Sequence, residues 1–91
     1  MGVKWRVELH RNAIKDLERL KRAGLTDKAR ALAEGLERDP FFSPPPYEKL
    51  SGDMRGLYSR RINVQHRLVY AVDEEARVVR VLRMWSHYGD N

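Results

Sequence analysis

Leu57-Tyr58-Ser59-Arg60-Arg61-Ile62-Asn63-Val64-Gln65-His66-Arg67-Leu68-Val69-Tyr70-Ala71-Val72 holds two short runs rich in β-branched and aromatic residues, broken at Val64-Gln65. Runs of this kind on either side of a short polar break predict neighbouring strands of one hairpin. Similar runs flank it at residues 47–50 and 77–85, set off by Ser51-Gly52-Asp53 and Asp73-Glu74-Glu75. The second half of the chain therefore predicts an antiparallel meander. Successive side chains of a strand point to opposite faces. Parity thus puts Leu68, Tyr70 and Val72 on one side and leaves Arg67 free to face the other. In the last run it puts Val78, Leu82 and Met84 on one side, and Arg77, Arg83 and Trp85 on the other with Val79 and Val81. His87 falls on the side of Arg77 and Arg83 if the strand continues past Trp85. A sheet face carrying several arginines and a terminal histidine suits a groove for RNA.

Towards the N-terminus, Asp39-Pro40 and Ser43-Pro44-Pro45-Pro46 belong to a loop, because proline disrupts both helix interiors and central strands. Before the loop, Ala29, Leu32, Ala33 and Leu36 recur at helical spacing after Thr26-Asp27. Gly35 costs that helix about 1 kcal/mol relative to alanine and predicts a loose last turn. An earlier helical pattern, Ala13, Leu17 and Leu20, begins at Asn12 as N-cap and stops at Gly24. Residues 3–9 alternate Val3, Trp5, Val7 and Leu9 with Lys4, Arg6 and Glu8, which predicts a first strand. The order β-α-α-β-β-β-β predicts an α+β fold. An antiparallel helical hairpin would cover a sheet of four to five strands, in a single domain across residues 1–91.

The chain has 91 residues, with 18 Lys and Arg against 13 Asp and Glu, a net charge of +5 and no cysteine. That is one small basic domain with neither disulfides nor a thiolate metal cluster. No apolar run resembles a signal peptide or a membrane span, so a cytosolic protein with no membrane partner is expected. Between Arg55 and Tyr70 stand four arginines and no acid, whereas residues 10–39 mix eight bases with six acids. The mixed segment reads as a solvated helical surface laced with ion pairs. The unmixed one asks for a counter-charge, and arginine forks fit phosphate oxygens.

Phosphate-binding loops, zinc-binding His pairs and nucleophile elbows are absent, and His10, His66 and His87 are not spaced as a metal site. No cofactor is expected. What remains is acid, base and arginine chemistry, which suffices for RNA cleavage by its own 2′-hydroxyl. His87, with a reference pKa of about 6.5, is the natural acid. Glu48 is the only acid between Pro40 and Gly52, close in sequence to the arginine-rich hairpin. Arg61 and Arg67 are candidates for a phosphate clamp, Arg60, Lys49 and Arg83 for further RNA contacts, and Tyr88 for stacking on a base. For each of these residues the commoner role is structural: a surface histidine, a strand-edge ion pair, cations covering a sheet, a tyrosine at a domain edge.

Taken together, Pro40-Phe41, Tyr47-Glu48-Lys49-Leu50, Gly56-Leu57-Tyr58-Ser59-Arg60-Arg61-Ile62, His66-Arg67-Leu68-Val69-Tyr70 and His87-Tyr88 closely resemble the YoeB/Txe toxins. These are a branch of the RelE-like toxins of bacterial toxin-antitoxin systems. The resemblance runs from Trp5 to Tyr88. It implies a bacterial cytoplasmic endoribonuclease that cuts mRNA in the A site of the 70S ribosome without a metal. It also implies an antitoxin partner of the YefM/Phd type and admits a homodimer. By matching motif, Glu48 becomes the general base, His87 the general acid, Arg67 the stabiliser of the phosphorane, Arg61 an RNA contact and Tyr88 a residue orienting the substrate. Ser51 stands where the family commonly has a lysine, and Gly89-Asp90-Asn91 follows the His-Tyr pair. These departures motivate the alternative of a catalytically weakened module that binds RNA or antitoxin.

Overall fold

The computed structural model describes residues 4–85. Strand β1 (Arg6–Leu9) leads into helices α1 (Arg11–Arg22) and α2 (Thr26–Arg38). There follow β2 (Tyr47–Lys49), a short 3₁₀ turn (Gly52–Met54), β3 (Tyr58–Arg61), β4 (Arg67–Asp73) and β5 (Val78–Arg83). All five strands join one sheet in the order β1-β5-β4-β3-β2. The expected α+β fold is present, and β2 to β5 form the antiparallel meander. β1 makes the sheet mixed, because it pairs parallel to β5. Alternation of residue types marks a strand but not its direction. A parallel neighbour needs a long crossover, and here the two helices and the rest of the meander intervene.

The helices cover the sheet with the positions their periodicity singled out. Ala13 and Leu20 of α1 and Ala29, Leu32 and Leu36 of α2 pack in one core with Leu68, Tyr70, Val79 and Val81. Each fully buried leucine or valine contributes about 1.5–3 kcal/mol. None of the described helices is long and apolar enough to cross a membrane. α1 starts earlier than expected: His10 is the N-cap, its Nδ1 accepting from the Asn12 amide at 3.1 Å, and Asn12 lies inside the helix. Its end is as read, with Gly24 at a φ of 73°. There the Gly24 and Leu25 amides donate to the carbonyls of Lys21 and Leu20, which satisfies the last turn.

Two departures shape the functional face. Tyr70 pairs with Val81 but Val69 pairs with Arg83, so Leu82 is an extra residue in β5 and strict alternation fails there. Val79 and Val81 stay in the core, while Arg83 no longer keeps their phase. The second departure is Gly35. α2 continues regularly to Arg38, and Gly35 is buried rather than the mark of a loose turn. A Cβ at this position would lie 2.5 Å from Cζ and 2.6 Å from Cε1 of Phe42. The glycine is a close-packing site, where the bare backbone admits the tip of the aromatic ring.

Gly35→Ala is therefore expected to lower stability by about 1–3 kcal/mol in urea unfolding through overpacking. Helix propensity alone would raise it by about 1 kcal/mol, so a stabilised variant would show that Phe42 does not depend on this glycine.

Candidate active site

The site begins with a cation that is not in it. Arg60 is 1% exposed. Its Nη1 donates to the Pro45 carbonyl at 2.7 Å, its Nη2 to the Pro40 carbonyl at 3.1 Å and its Nε to the Tyr70 hydroxyl at 3.1 Å. The Tyr70 hydroxyl in turn donates to the Pro40 carbonyl at 2.8 Å. The face of the guanidinium lies 3.8 Å from the Phe42 ring centroid, a cation–π arrangement. Burial raises the Tyr70 pKa above the usual tyrosine value, and the charge and hydrogen bond of Arg60 oppose that shift. Arg60 thus ties both ends of the proline loop to β3.

The neighbours of Arg60 point the other way. Glu48 pairs with Ser59 across β2 and β3, and Arg61 pairs with Arg67 across β3 and β4. Alternation puts Ser59 and Arg61 on the face opposite Arg60. Pro45 and Pro46 wall this face, and with Glu48, Ser59, Arg61 and Arg67 they enclose a cleft of about 400 Å³. At its floor, Nη1 of Arg67 donates to Oε1 of Glu48 at 2.7 Å and to Oγ of Ser59 at 3.3 Å. The Arg67 side chain is 10% exposed and that of Glu48 63%. A cation held deep in the fold therefore faces an open carboxylate, with the exposed Arg61 at the rim. Such a cleft can bind an anion through guanidinium forks while a carboxylate takes a proton beside it.

Of the residues proposed from sequence, Glu48, Arg61 and Arg67 come together. Arg60 does not, because it is consumed in holding the loop. Lys49 follows Glu48 on an extended strand and so projects elsewhere, lining a separate hollow with Arg55 and Tyr58. Arg83 is forked onto Asp16 of α1, with Nε at 2.9 Å from Oδ2 and Nη2 at 3.2 Å from Oδ1. Asp16 is 2% exposed and also accepts from the Met84 amide at 2.9 Å. Arg83 therefore anchors the end of β5 to α1. His87 and Tyr88 lie outside the described residues. Sequence reasoning passed over Ser59, whose parity with Glu48 and Arg61 could have marked it. It also passed over the stack of His66 on Trp85, with ring centroids 3.8 Å apart and planes 18° apart. There the His66 Nδ1 also meets the Trp85 carbonyl.

Residues 10–88 match the family model described as YoeB-like toxin of bacterial type II toxin-antitoxin system. Toxin YoeB of Streptomyces coelicolor is 38% identical over 55 residues, 60% of this chain, and the match spans 66% of that relative, just under two thirds. Among solved structures, a YoeB/ParE toxin from Agrobacterium tumefaciens superimposes with a TM-score of 0.81 at 32% identity, covering 91% of this chain and 99% of its own. The YoeB-YefM complex from Staphylococcus aureus gives a TM-score of 0.76 at 28% identity, covering 92% and 98%. The YoeB dimer from the same organism gives 0.78 at 27% identity, covering 93% and 99%.

Replacing the two adjacent arginines should separate scaffold from site. Arg60→Met is expected to lower stability by about 2–4 kcal/mol, because it strands buried carbonyl acceptors. Arg61→Met, on an exposed side chain, should stay within about 0.5 kcal/mol of the parent. Equal losses in chemical denaturation would contradict the division of roles.

Proposed function

The chain belongs to the YoeB-like toxins of bacterial type II toxin-antitoxin systems, and from that premise we propose that it is an endoribonuclease that cuts mRNA in the A site of the ribosome. The observation that carries the proposal is the meeting of Glu48, Arg67 and Arg61 in one cleft. The Glu48 carboxylate rests on the Arg67 guanidinium. An entering phosphodiester offers its own oxygens to that guanidinium and to Arg61, which frees Glu48 for the adjacent ribose. Glu48 then takes the 2′-hydroxyl proton, and the 2′ oxygen attacks phosphorus. The extra negative charge on the phosphorane is held by Arg67, whose shielded position strengthens the interaction. The P–O5′ bond breaks as His87 returns a proton to the leaving oxygen. The products are a 2′,3′-cyclic phosphate and a free 5′-hydroxyl. Tyr88 orients the nucleotide.

Each step moves a proton or stabilises charge with groups of this chain, so the chemistry requires no metal or cofactor. The ribosomal substrate puts the protein in the bacterial cytoplasm. It also calls for an inhibitor, and a YefM/Phd-type antitoxin that covers the cleft is the partner this implies. The Staphylococcus aureus relative, solved both with YefM and as a dimer, supports an antitoxin and a second toxin copy as partners.

Expression of the chain without an antitoxin is expected to arrest growth. Glu48→Ala and His87→Ala should each relieve the arrest and lower the cleavage rate of the purified protein about 10²–10⁴-fold. If both variants arrested growth as fully as the parent, the assignment of base and acid would be wrong. An inert parent that still bound ribosomes would instead be the catalytically weakened module.

A further inference from the structure

β5 leaves the sheet before its neighbour does. Its last residue, Arg83, pairs with Val69, whereas β4 extends beyond that pair to Arg67. Met84 and Trp85 therefore lie past the ladder, and side chains take up their backbone groups. The Met84 amide donates to Oδ2 of Asp16 on α1 at 2.9 Å. The Trp85 carbonyl meets Nδ1 of His66, in the turn between β3 and β4. A carbonyl only accepts, so Nδ1 is the nitrogen that carries the proton in this contact. The same imidazole stacks on the Trp85 indole, with ring centroids 3.8 Å apart. One side chain thus holds both the backbone and the ring of Trp85.

His66 can serve as an anchor because its own backbone is fixed. Its carbonyl accepts from the Ile62 amide at 2.8 Å, and its amide donates to Oδ1 of Asn63 at 2.7 Å. That oxygen also accepts from the Gln65 amide at 2.9 Å, so the Asn63 side chain closes the turn. The next residue, Arg67, pairs with Arg61 across the sheet and donates to Glu48 in the cleft. The grip on Trp85 and the cation of the cleft therefore stand on adjacent residues of one ordered backbone.

The end of β5 already has other anchors. Arg83 is forked onto Asp16, and Met84 is buried in the core. The contact with His66 is a further tie, made at Trp85, and its use lies beyond that residue. His87 follows Trp85 by two residues, a covalent reach of at most about 7 Å. A general acid must come within hydrogen-bond reach of the oxygen it protonates, and residues near a chain end keep a position only where they are tied down. A tie at Trp85 that starts from the neighbour of Arg67 registers the chain leading to the acid against the cation.

We propose that His66 is a positioning residue for RNA cleavage: by holding the ring and carbonyl of Trp85, it sets the chain that carries His87 against Arg67, so that acid and cation act on one phosphodiester. This role rests on the assignment of His87 as general acid and adds the residue through which that acid is aimed. His66 itself exchanges no proton with the substrate.

The test uses the full chain with His66→Ala, which loses both contacts, and with His66→Phe, which keeps a ring to pack on Trp85 and loses only the donor. Single-turnover cleavage of mRNA on 70S ribosomes is measured with oxygen at the 5′ position of the scissile bond and with sulfur there, because a thiolate departs without an acid. On the oxygen substrate His66→Ala should lower the maximal rate about 10²-fold and leave the half-saturating concentration unchanged, as a misplaced catalytic group requires. His66→Phe should show a smaller loss of the same kind. On the sulfur substrate both variants, and His87→Ala with them, should cut as fast as the parent, while Glu48→Ala stays slow. Adding His66→Ala to His87→Ala should cost no further activity on the oxygen substrate. Equal losses on the two substrates, a further loss in the double variant or an unimpaired His66→Ala would each overturn the proposal. A parent that cuts neither substrate would refute the endonuclease and this role with it. If sulfur rescues His87→Ala but neither His66 variant, the endonuclease and its acid stand and the role of His66 alone falls.

Discussion

The buried guanidinium of Arg60 is the constraint on which the site depends. Taking a charge out of water costs several kcal/mol unless it is fully hydrogen-bonded. Here two carbonyls, a tyrosine hydroxyl and an aromatic face meet it. Both carbonyls belong to the segment between α2 and β2, so the satisfaction of Arg60 and the path of that segment are one requirement. Phe42 against the guanidinium needs the bare backbone of Gly35, and Pro45, whose carbonyl accepts from it, becomes a wall of the cleft. A helix glycine, a β-strand arginine and a proline loop, distant in sequence, thus act as one mechanical unit. That unit sets the edge strand carrying Glu48 against β3, and Glu48 reaches past Ser59 to Arg67 on the strand beyond.

The element order and the helix faces were legible because they follow from periodicity, which burial of one face enforces locally. Ala13, Leu20, Ala29, Leu32 and Leu36 lie in the core as their spacing required. The direction of β1 was not legible, since a partner 72 residues along the chain, Val79 for Val7, leaves no mark in a local pattern. Nor was the N-cap, because a histidine nitrogen took a place that asparagine usually fills.

Glu48, Arg61 and Arg67, which meet in one cleft, were singled out by chemical type, by the parity of Arg67 and by the resemblance to a family motif. Arg60 was misread because adjacent arginines look alike in composition and differ only in face. Arg83 was misread because one extra residue in β5 undid the parity, and because its partner Asp16 is a buried acid inside a helix. The chain therefore uses arginine in three ways: as an internal brace, as a strand anchor and as the cation of a cleft. The face of the sheet that the side chain takes separates the brace from the cleft cation, while the extra residue in β5 and the buried Asp16 make the anchor.

The proposed activity is cleavage, in the cleft of Glu48 and Arg67, of RNA presented by the ribosome. Its most direct test is primer extension on a defined mRNA programmed into bacterial 70S ribosomes, with ribosome-free mRNA and the Glu48→Ala variant alongside. The expected result is cleavage confined to the A-site codon, leaving a 2′,3′-cyclic phosphate, and lost in the variant. Cleavage of free mRNA at an equal rate, or intact mRNA on ribosomes that the protein occupies, would contradict it.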